Sequence, residues 1–326
     1  MSKYSGLEFA VFIVDGYDLL PSLMENASMA DEILTQPTTP FGVDSEQNTP
    51  IGLKRGTLVA GGGLYDATAD ALHTAIGTVV GISRIICAAI SGNSIGKIFM
   101  GFGGAYSQKY EVQDQRDGLT KANVTYLVSG DVDTGLVVQH HTTKSVDWDT
   151  KSTPVDEMDS PQAKSIDIVS SSVANPSVIT TATPHGLVSG DVIAISGHTG
   201  STPSINDDGE GYTVTVTDST HFTIPVNVTV GGTGGILRRV SWASGGVGYQ
   251  QVTALSGFSG YLGKIVHSPD AVTWADLISF ANVTSAHAKE RKATATPTTV
   301  VDRYVAHVGD VTGTGSIKVF SGFIRG

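Results

Sequence analysis

The chain contains 326 residues with a formal net charge of −11, and 16% of its residues are charged. This length accommodates two domains, and the 39 glycines, together with many threonine, serine and valine residues, indicate a β-rich globular protein. The acidic balance disfavours tight nucleic-acid binding, because basic side chains that neutralise phosphates drive that binding.

Membrane and secreted classes are also disfavoured. No apolar run approaches the roughly 20 residues of a membrane-spanning helix, so we expect no membrane partner. The N-terminus lacks the pattern of a secretion signal. The single cysteine, Cys87, lies in the apolar run RIICAAI and cannot form an internal disulfide, which fits a protein made in a reducing cytoplasm. We predict that Cys87 is a small core residue.

The N-terminal segment predicts a strand, a long loop and a helix, in that order. Residues 7–14, LEFAVFIV, are typical of a strand that ends at the turn-like DGYDL. Residues 21–56 contain several prolines and glycines without clean periodicity, which predicts a long irregular segment. Apolar residues then recur at helical spacing over residues 65–79, with Asp66 as a candidate N-cap, so a helix is predicted there.

Strands dominate the next part of the chain. We predict them at residues 83–91, 97–102, 106–114, 119–130 and 135–143. The polar, proline-containing segment that starts at Asp147 is typical of a linker. The glycine clusters GGG at 61–63 and GGTGG at 231–235 are interpreted as loops.

The middle of the chain contains a β module that is complete in itself. Short β-like runs, among them SVITTA, DVIAISG, YTVTVTD and HFTIPV, are separated by Gly, Pro, His and Asp. Without this module, the flanking segments would be continuous: a loop with the sequence PVDEMDSP would lead into a strand that begins at WASGGVGYQQV. We therefore predict that residues 163–241 are inserted into one parent domain formed by residues 1–162 and 242–326. Further strands follow the module, and WADLISFA suggests one or two helical turns.

Charge is distributed unevenly along the chain. The first 164 residues hold a net charge of −9. Residues 165–240 contain six acids and two bases, and residues 241–326 contain five acids and seven bases. Most of the acidity therefore belongs to the N-terminal half.

Short motifs with catalytic or metal-binding potential have simpler interpretations. Residues 92–96, GNSIG, match the G-x-S-x-G pattern, but a β-like run follows instead of a helix, so a hairpin turn is favoured over a Ser94 nucleophile. The adjacent His140 and His141 point to opposite faces of a strand and cannot share an ion. NDDGEG at 206–211 lacks the spacing of a calcium loop and is interpreted as a solvated turn. We expect no enzyme activity, no metal and no cofactor.

Ordered segments of the two outer parts resemble the major tail tube proteins of long-tailed bacteriophages. The resemblance rests on VFIVDGYDLL, TQPTTPFGVDSEQNTPIGLKRGTL, GGLYDATADALHTAI and GLTKANVTYLVSGDVDTGLVV, and then on GGVGYQQVTALSG, IVHSPDAVTWADLISFANVT and DRYVAHVGDVTGTGSIKVFSGFIR. It covers roughly residues 5–160 and 242–326. The module resembles small β domains that decorate phage tail proteins, through HGLVSGDVI and YTVTVTDSTHFTI.

This resemblance implies a mainly β protein, a sandwich or barrel with one flanking helix, whose copies form hexameric rings that stack into a hollow tube. It also implies tape-measure and tail-end proteins as partners, and genomic DNA that passes through without specific binding. Residues 23–58 would form a loop that contacts a neighbouring ring. The predicted contact residues of this loop are Met24, Ile33, Thr38, Thr39, Phe41, Gly42 and Leu53. The candidate acids of a lumen that repels phosphate are Glu111, Asp114, Asp131 and Asp133.

The sequence leaves open the role of the module and the choice between several functions. The chain would act in the virion tail after assembly in the bacterial host cytoplasm, with the module projecting outward as a passive spacer or as a weak contact with host-surface glycans. The rival hypothesis is a capsid-decorating or host-adhesion protein that binds carbohydrate. A hydrolase that acts through Ser94 is a third and more distant hypothesis.

Overall fold

In the computed structural model, most of the chain is described. The segments left outside the description are residues 1–9, 23–25, 38–47, 66–72, 78–80, 115–117, 119, 130–131, 157–164 and 208–210. The described part is mainly β, which confirms the predicted fold class. The strong β propensity of the valine-, isoleucine- and threonine-rich runs accounts for this.

The first part of the chain contains ten strands and two short helical turns among its described residues. The strands are β1 (Val11–Val14), β2 (Tyr17–Asp18), β3 (Asn26–Pro37), β4 (Asn48–Leu64), β5 (Ser83–Ala89), β6 (Ile98–Gln113), β7 (Lys121–Val128), β8 (Asp133–Lys144), β9 (Trp148–Asp149) and β10 (Val155–Asp156). The helical turns are a 3-10 turn at Leu20–Ser22 and a π-helical turn at His73–Gly77.

Four sequence-based predictions change in this part. The segment predicted as a linker from Asp147 contains β9 and β10, which both pair with β22. The predicted loop over 21–56 contains the antiparallel pair β3–β4, and the glycines at 61–63 lie within β4 rather than in a loop. The two strands predicted at 97–102 and 106–114 form one continuous β6. Of the predicted helix, Tyr65 and the π-helical turn lie within the described residues, and the remainder lies outside them.

Strand pairing explains why the prolines and glycines of residues 21–56 wrongly predicted a loop. Pro37 lies at the end of β3, and Pro50 lies where β4 pairs with β3 alone. Proline is tolerated at such places because its missing N–H interrupts no second ladder. The pairing register also shifts between Ile33 and Thr35, so the hairpin contains an irregularity that hides the alternation of a regular strand.

The third part forms a long ribbon with short strands along its edge. Its strands are β18 (Gly246–Ser268), β19 (Ala275–Ser279), β20 (Ala288–Ala293), β21 (Val300–Val301) and β22 (Tyr304–Arg325). The helical turns suggested for WADLISFA are wrong, because Ala275–Ser279 pairs antiparallel with β18. This pairing buries Ile278, and tertiary contacts outweigh the weak local helical pattern.

Fourteen strands of the described part form one sheet that nearly closes into a barrel. Its main path runs β19-β18-β22-β8-β6-β5-β1-β2, and a branch runs from β6 through β7 and β4 to β3. The side chain of Gln251 links β18, next to one end of the path, to the β1–β2 turn and to β5, near the other end. Its Oε1 accepts a hydrogen bond of 2.7 Å from the Gly16 N–H, and its Nε2 donates to the Ile85 carbonyl at 3.1 Å. The outer parts of the chain therefore share one folded body.

The β18–β22 ribbon folds back on itself and builds two layers. Gly257, at φ +81°, and Gly313, at φ +97°, lie where the ribbon bends, in a conformation that favours glycine. The two layers pack closely at Gly248. A side chain there would collide with Ile265, because an added Cβ would lie 2.7 Å from Ile265 Cδ1. Aromatic residues fill the neighbouring core, where Phe99 packs edge-on against Tyr249.

Cys87 lies in this core, as predicted. It is fully buried, and desolvation raises the pKa of its thiol to about 12. The Gln251 Nε2 lies 3.7 Å from its sulfur. Burial of this kind keeps the thiol protonated and unreactive.

The central module has a separate sheet. Its strands are β11 (Ile166–Ser171), β12 (Ser177–Thr181), β13 (Val192–Ser196), β14 (Tyr212–Thr213), β15 (Thr215–Val216), β16 (His221–Ile224) and β17 (Ile236–Ala243). They share a core of buried apolar residues that comes entirely from this segment, including Ile179, Ile195 and Phe222. The module meets the body where β17 pairs with β21. The exact boundaries at 163 and 241 stay a prediction.

Candidate assembly surface

The β3–β4 hairpin extends beyond the sheet that supports it. Strand β4 pairs with β7 from Leu64 back to Gly56, which is opposite Val128. Residues 48–55 of β4 pair, within the described part of the chain, only with β3. Six residues of β3, 32–37, lie opposite them, so at about 3.4 Å per residue this two-stranded overhang is about 20 Å long. We call it the arm.

The outer edge of β3 is a second feature of this surface. Among the described residues, the 12-residue strand β3 pairs with β4 and with nothing on its other side. Such an edge presents unpaired backbone N–H and C=O groups, which natural proteins usually shorten, cover or pair with another chain. The arm is therefore a template for a further strand.

Only two of the predicted loop-contact residues lie in the described part. Ile33 is on β3 opposite Lys54, and Leu53 is on β4. Both belong to the arm. The other members, Met24, Thr38, Thr39, Phe41 and Gly42, lie outside the described residues. The contact set as a whole stays a prediction.

Each of the described candidate lumen acids has its own partner. Glu111 on β6 pairs with Lys109 at 2.7 Å, and this ammonium lowers the pKa of the Glu111 carboxyl. Asp114 accepts a hydrogen bond from the Thr120 hydroxyl at 2.9 Å. Asp131 lies outside the described residues. The carboxylate of Asp133 accepts hydrogen bonds from Tyr249 and Arg291, so its charge is balanced inside the body.

Asp133 belongs to a set of ion pairs that sequence analysis missed. Four acids of the first part pair with four bases of the third part. The pairs, with their N–O distances, are Asp15–Lys289 at 2.6 Å, Asp18–Lys318 at 3.2 Å, Asp133–Arg291 at 3.0 Å and Asp156–Arg303 at 2.8 Å. The excess of acids before the module and of bases after it was the signal in the sequence.

Asp15 is the most buried acid of the set. The Asp15 side chain is 5% exposed, and it also binds Arg84 at 3.2 Å. Its Oδ1 accepts a hydrogen bond from the Ile85 N–H at 2.9 Å. Asp15 adopts φ +53°, a conformation that aspartate tolerates better than most residues. This cluster fixes the β1–β2 turn against β5 and β20.

Two buried histidines make the body sensitive to acid. His307 is fully buried, stacks against Trp148 and contacts the Tyr261 hydroxyl through Nε2 at 3.1 Å. Desolvation lowers its pKa to about 3. His141 contacts the Thr253 hydroxyl through Nε2 at 2.8 Å, and desolvation lowers its pKa to about 4, although Asp18 opposes this shift.

Stability should therefore fall as the pH decreases from about 6.5. The unfolded chain takes up protons near pH 6.5, whereas the folded chain resists protonation until about pH 4 at His141 and about pH 3 at His307. Each histidine then contributes a slope of up to about 1.4 kcal/mol per pH unit. Urea unfolding between pH 7 and pH 4.5 measures this slope. The His141→Gln substitution should reduce the slope over this interval by up to about 1.4 kcal/mol per pH unit, and an unchanged slope would contradict this assignment.

The serine motif lies in a turn. Strands β5 and β6 pair antiparallel, and the Lys97 N–H donates to the Ser94 carbonyl in the loop between them. Gly92 and Gly96 have positive φ, as tight turns require. The hairpin interpretation of residues 92–96 is confirmed.

The module's signature residues also build turns. His185 Nδ1 accepts a hydrogen bond from the Leu187 N–H at 3.0 Å, and Asp191 accepts one from the Val188 N–H at 3.1 Å. Asp218 accepts one from the His221 N–H at 2.9 Å. Backbone geometry thus accounts for these polar positions without a ligand.

No group of three or more His, Cys, Asp or Glu in the described part is arranged to hold a metal ion. No described helix is both long and apolar enough to cross a membrane.

The similarity of this chain to known proteins is weak. The chain matches no protein-family model and none of the curated proteins. Among solved structures, it is similar to the crystal structure of SPP1 Dit (gp 19.1), described as a paradigm of the hub adsorption apparatus in phages that infect Gram-positive bacteria. The two are 10% identical with a TM-score of 0.26, over 96% of this chain and 98% of that chain. A similarity at this level carries no argument about function.

Proposed function

We propose that this chain is a structural subunit of a phage tail, whose copies form hexameric rings that stack into a tube, and that the arm pairs with the next copy within a ring rather than with a neighbouring ring, the contact that the resemblance implies. The observation that carries this proposal is the arm, a two-stranded overhang with a free 12-residue edge on β3. The resemblance of the two outer parts to tail tube proteins supports the same assembly.

The energetics of the arm favour a partner strand. An isolated two-stranded hairpin is marginally stable in water at best. A neighbouring copy that adds a strand along β3 would form several backbone hydrogen bonds, each with a net contribution of about 0.5–1.5 kcal/mol. Repeated in a ring, this heterologous contact would stabilise both the arm and the assembly.

The charge of the body supports passage of DNA without binding. Residues 1–164 and 241–326 hold net charges of −9 and +2, which leave −7 after the internal ion pairs are formed. Within this proposal the lumen is acidic and repels phosphate. Since Asp133 is paired internally, Glu111, Asp114 and Asp131 are the better candidates for its surface.

The remaining parts of the proposal concern partners and place. The subunit acts in the virion tail after assembly in the bacterial cytoplasm, next to tape-measure and tail-end proteins, and has no catalytic role. The module projects outward as a decoration. Its separate core supports this, because it can fold without disturbing the body.

Sedimentation velocity of the full-length protein over a range of concentrations and salt tests this proposal. We expect hexamers and larger species that grow with concentration. A capsid-decorating or adhesion protein would instead give discrete small oligomers, such as trimers, at every concentration. That result would overturn the tube proposal.

A further inference from the structure

A small polar cleft lies on the body, between β18, β20 and the loop that joins β19 to β20. Its volume is about 200 Å³. The polar groups that line it belong to Gln250, Asn282, Thr284, Ser285, Lys289 and Glu290. Neither the arm nor the module contributes to this lining.

The Gln250 side chain lies at the floor of the cleft, and hydrogen bonding fixes its amide. Gln250 is only 2% exposed, and its Oε1 accepts a hydrogen bond from the Tyr261 hydroxyl at 3.2 Å. That hydroxyl in turn contacts His307 Nε2 at 3.1 Å. Gln250 lines the cleft, and within the described part of the chain its Nε2 donates to no protein acceptor. A Cβ on Gly263 would overlap this amide, so glycine is needed there.

An acceptor lies next to this donor. Glu290 is the register partner of Gln250, which places the two side chains on the same face of the sheet. Glu290 Oε2 accepts a hydrogen bond from the Ala281 N–H at 2.7 Å, and this bond fixes the carboxylate. The other oxygen, Oε1, is 4.0 Å from Lys292 Nζ and retains the capacity to accept from a ligand.

The electrostatics of the cleft disfavour an anion. The charge of the Lys289 ammonium is taken up by Asp15 at 2.6 Å. Glu290 remains as an acid in the cleft of a chain with a net charge of −11. A ligand that suits a fixed donor beside a fixed acceptor carries groups that both donate and accept, and hydroxyl groups do so.

We propose that this cleft binds one neutral sugar unit. One ring hydroxyl accepts from Gln250 Nε2 and donates to Glu290 Oε1, while Asn282, Thr284 and Ser285 bond the neighbouring hydroxyls from the rim. The volume is below the range of about 300–1,000 Å³ that drug-sized ligands occupy, and this favours a single unit. The site lies on the body and does not depend on the proposed tube assembly.

Ligand-observed NMR with the full-length protein tests this site. The probes are glucose, galactose, N-acetylglucosamine, glycerol, N-acetylneuraminic acid and glycerol phosphate. We expect at least one neutral sugar to bind with a millimolar dissociation constant, and glycerol and the two anions to bind at least tenfold more weakly. The Glu290→Gln and Asn282→Ala substitutions should each raise the dissociation constant at least tenfold. Both keep the fold, because glutamine still accepts from Ala281 and Asn282 is exposed.

The matched control is Asn227→Ala, an exposed asparagine of the module, which should leave binding unchanged. Failure of every neutral sugar to bind at about 50 mM would overturn the proposal. Equal binding of glycerol or of the anions would overturn it as well. Loss of binding in Asn227→Ala, with the two cleft variants unaffected, would assign the sugar to the module instead.

Discussion

A chain in which residues 32–55 are replaced by the dipeptide Asn-Gly should fold but should not assemble. Asp31 and Gly56 are register partners, so a two-residue turn can join them. The deleted residues pair, within the described part, only with each other, and β4 keeps its pairing with β7. The thermal midpoint should therefore change by only a few degrees, whereas the edge available to a second copy is reduced to Asn26–Asp31.

Sedimentation velocity and circular dichroism together measure this result. The expected outcome is a monomer with a near-native spectrum at concentrations where the full chain forms hexamers. A matched control exchanges two exposed apolar residues of the module, Val173 and Val230, for serine, and it should assemble normally. If the shortened chain still formed rings, the arm would not be the contact between subunits.

The second large effect is expected at the buried ion cluster of the body. Asp15→Asn keeps the size of the side chain, tolerates the positive φ and retains an acceptor for the Ile85 N–H. It removes the negative charge that faces Arg84 and Lys289. Breaking a buried pair by removing one partner costs about 3–5 kcal/mol, because the other charge loses its compensation.

Urea unfolding measures this cost as a lower midpoint with an unchanged slope. Glu111→Gln is the matched control, since it removes the acid of the exposed pair with Lys109 and should leave the midpoint unchanged. If the two variants behaved alike, the Asp15 cluster would not hold the outer parts of the chain together.

Local patterns predicted the strands of this protein well where the alternation was regular. Over Lys121–Val128, buried and half-buried residues alternate without interruption, and β7 lies within the predicted range of 119–130. The β3–β4 hairpin was missed because Pro50 and several glycines suggest breaks, and a strand that pairs on one side tolerates both. Its existence depends on pairing between distant residues, which local propensity does not encode.

The partners of the acidic residues could not be predicted from the sequence for a similar reason. The sequence contains an acidic first part and a basic third part, and that acidity was predicted to line a lumen. In the structure, Asp133 instead binds Arg291, which is 158 residues away in the chain. The polar cleft could not be predicted from the sequence either. Gln250 and Asn282 come to line the same cleft only because β19 and β20 pair with β18.

Negative-stain electron microscopy of the full-length protein, beside a chain that lacks residues 165–240, tests the central claim most directly. The account predicts hollow tubes from both chains, with lateral projections only on the full-length tubes. Absence of tubes from both chains, over a range of concentration and salt and in the presence of purified tail-end proteins as an assembly initiator, would contradict it.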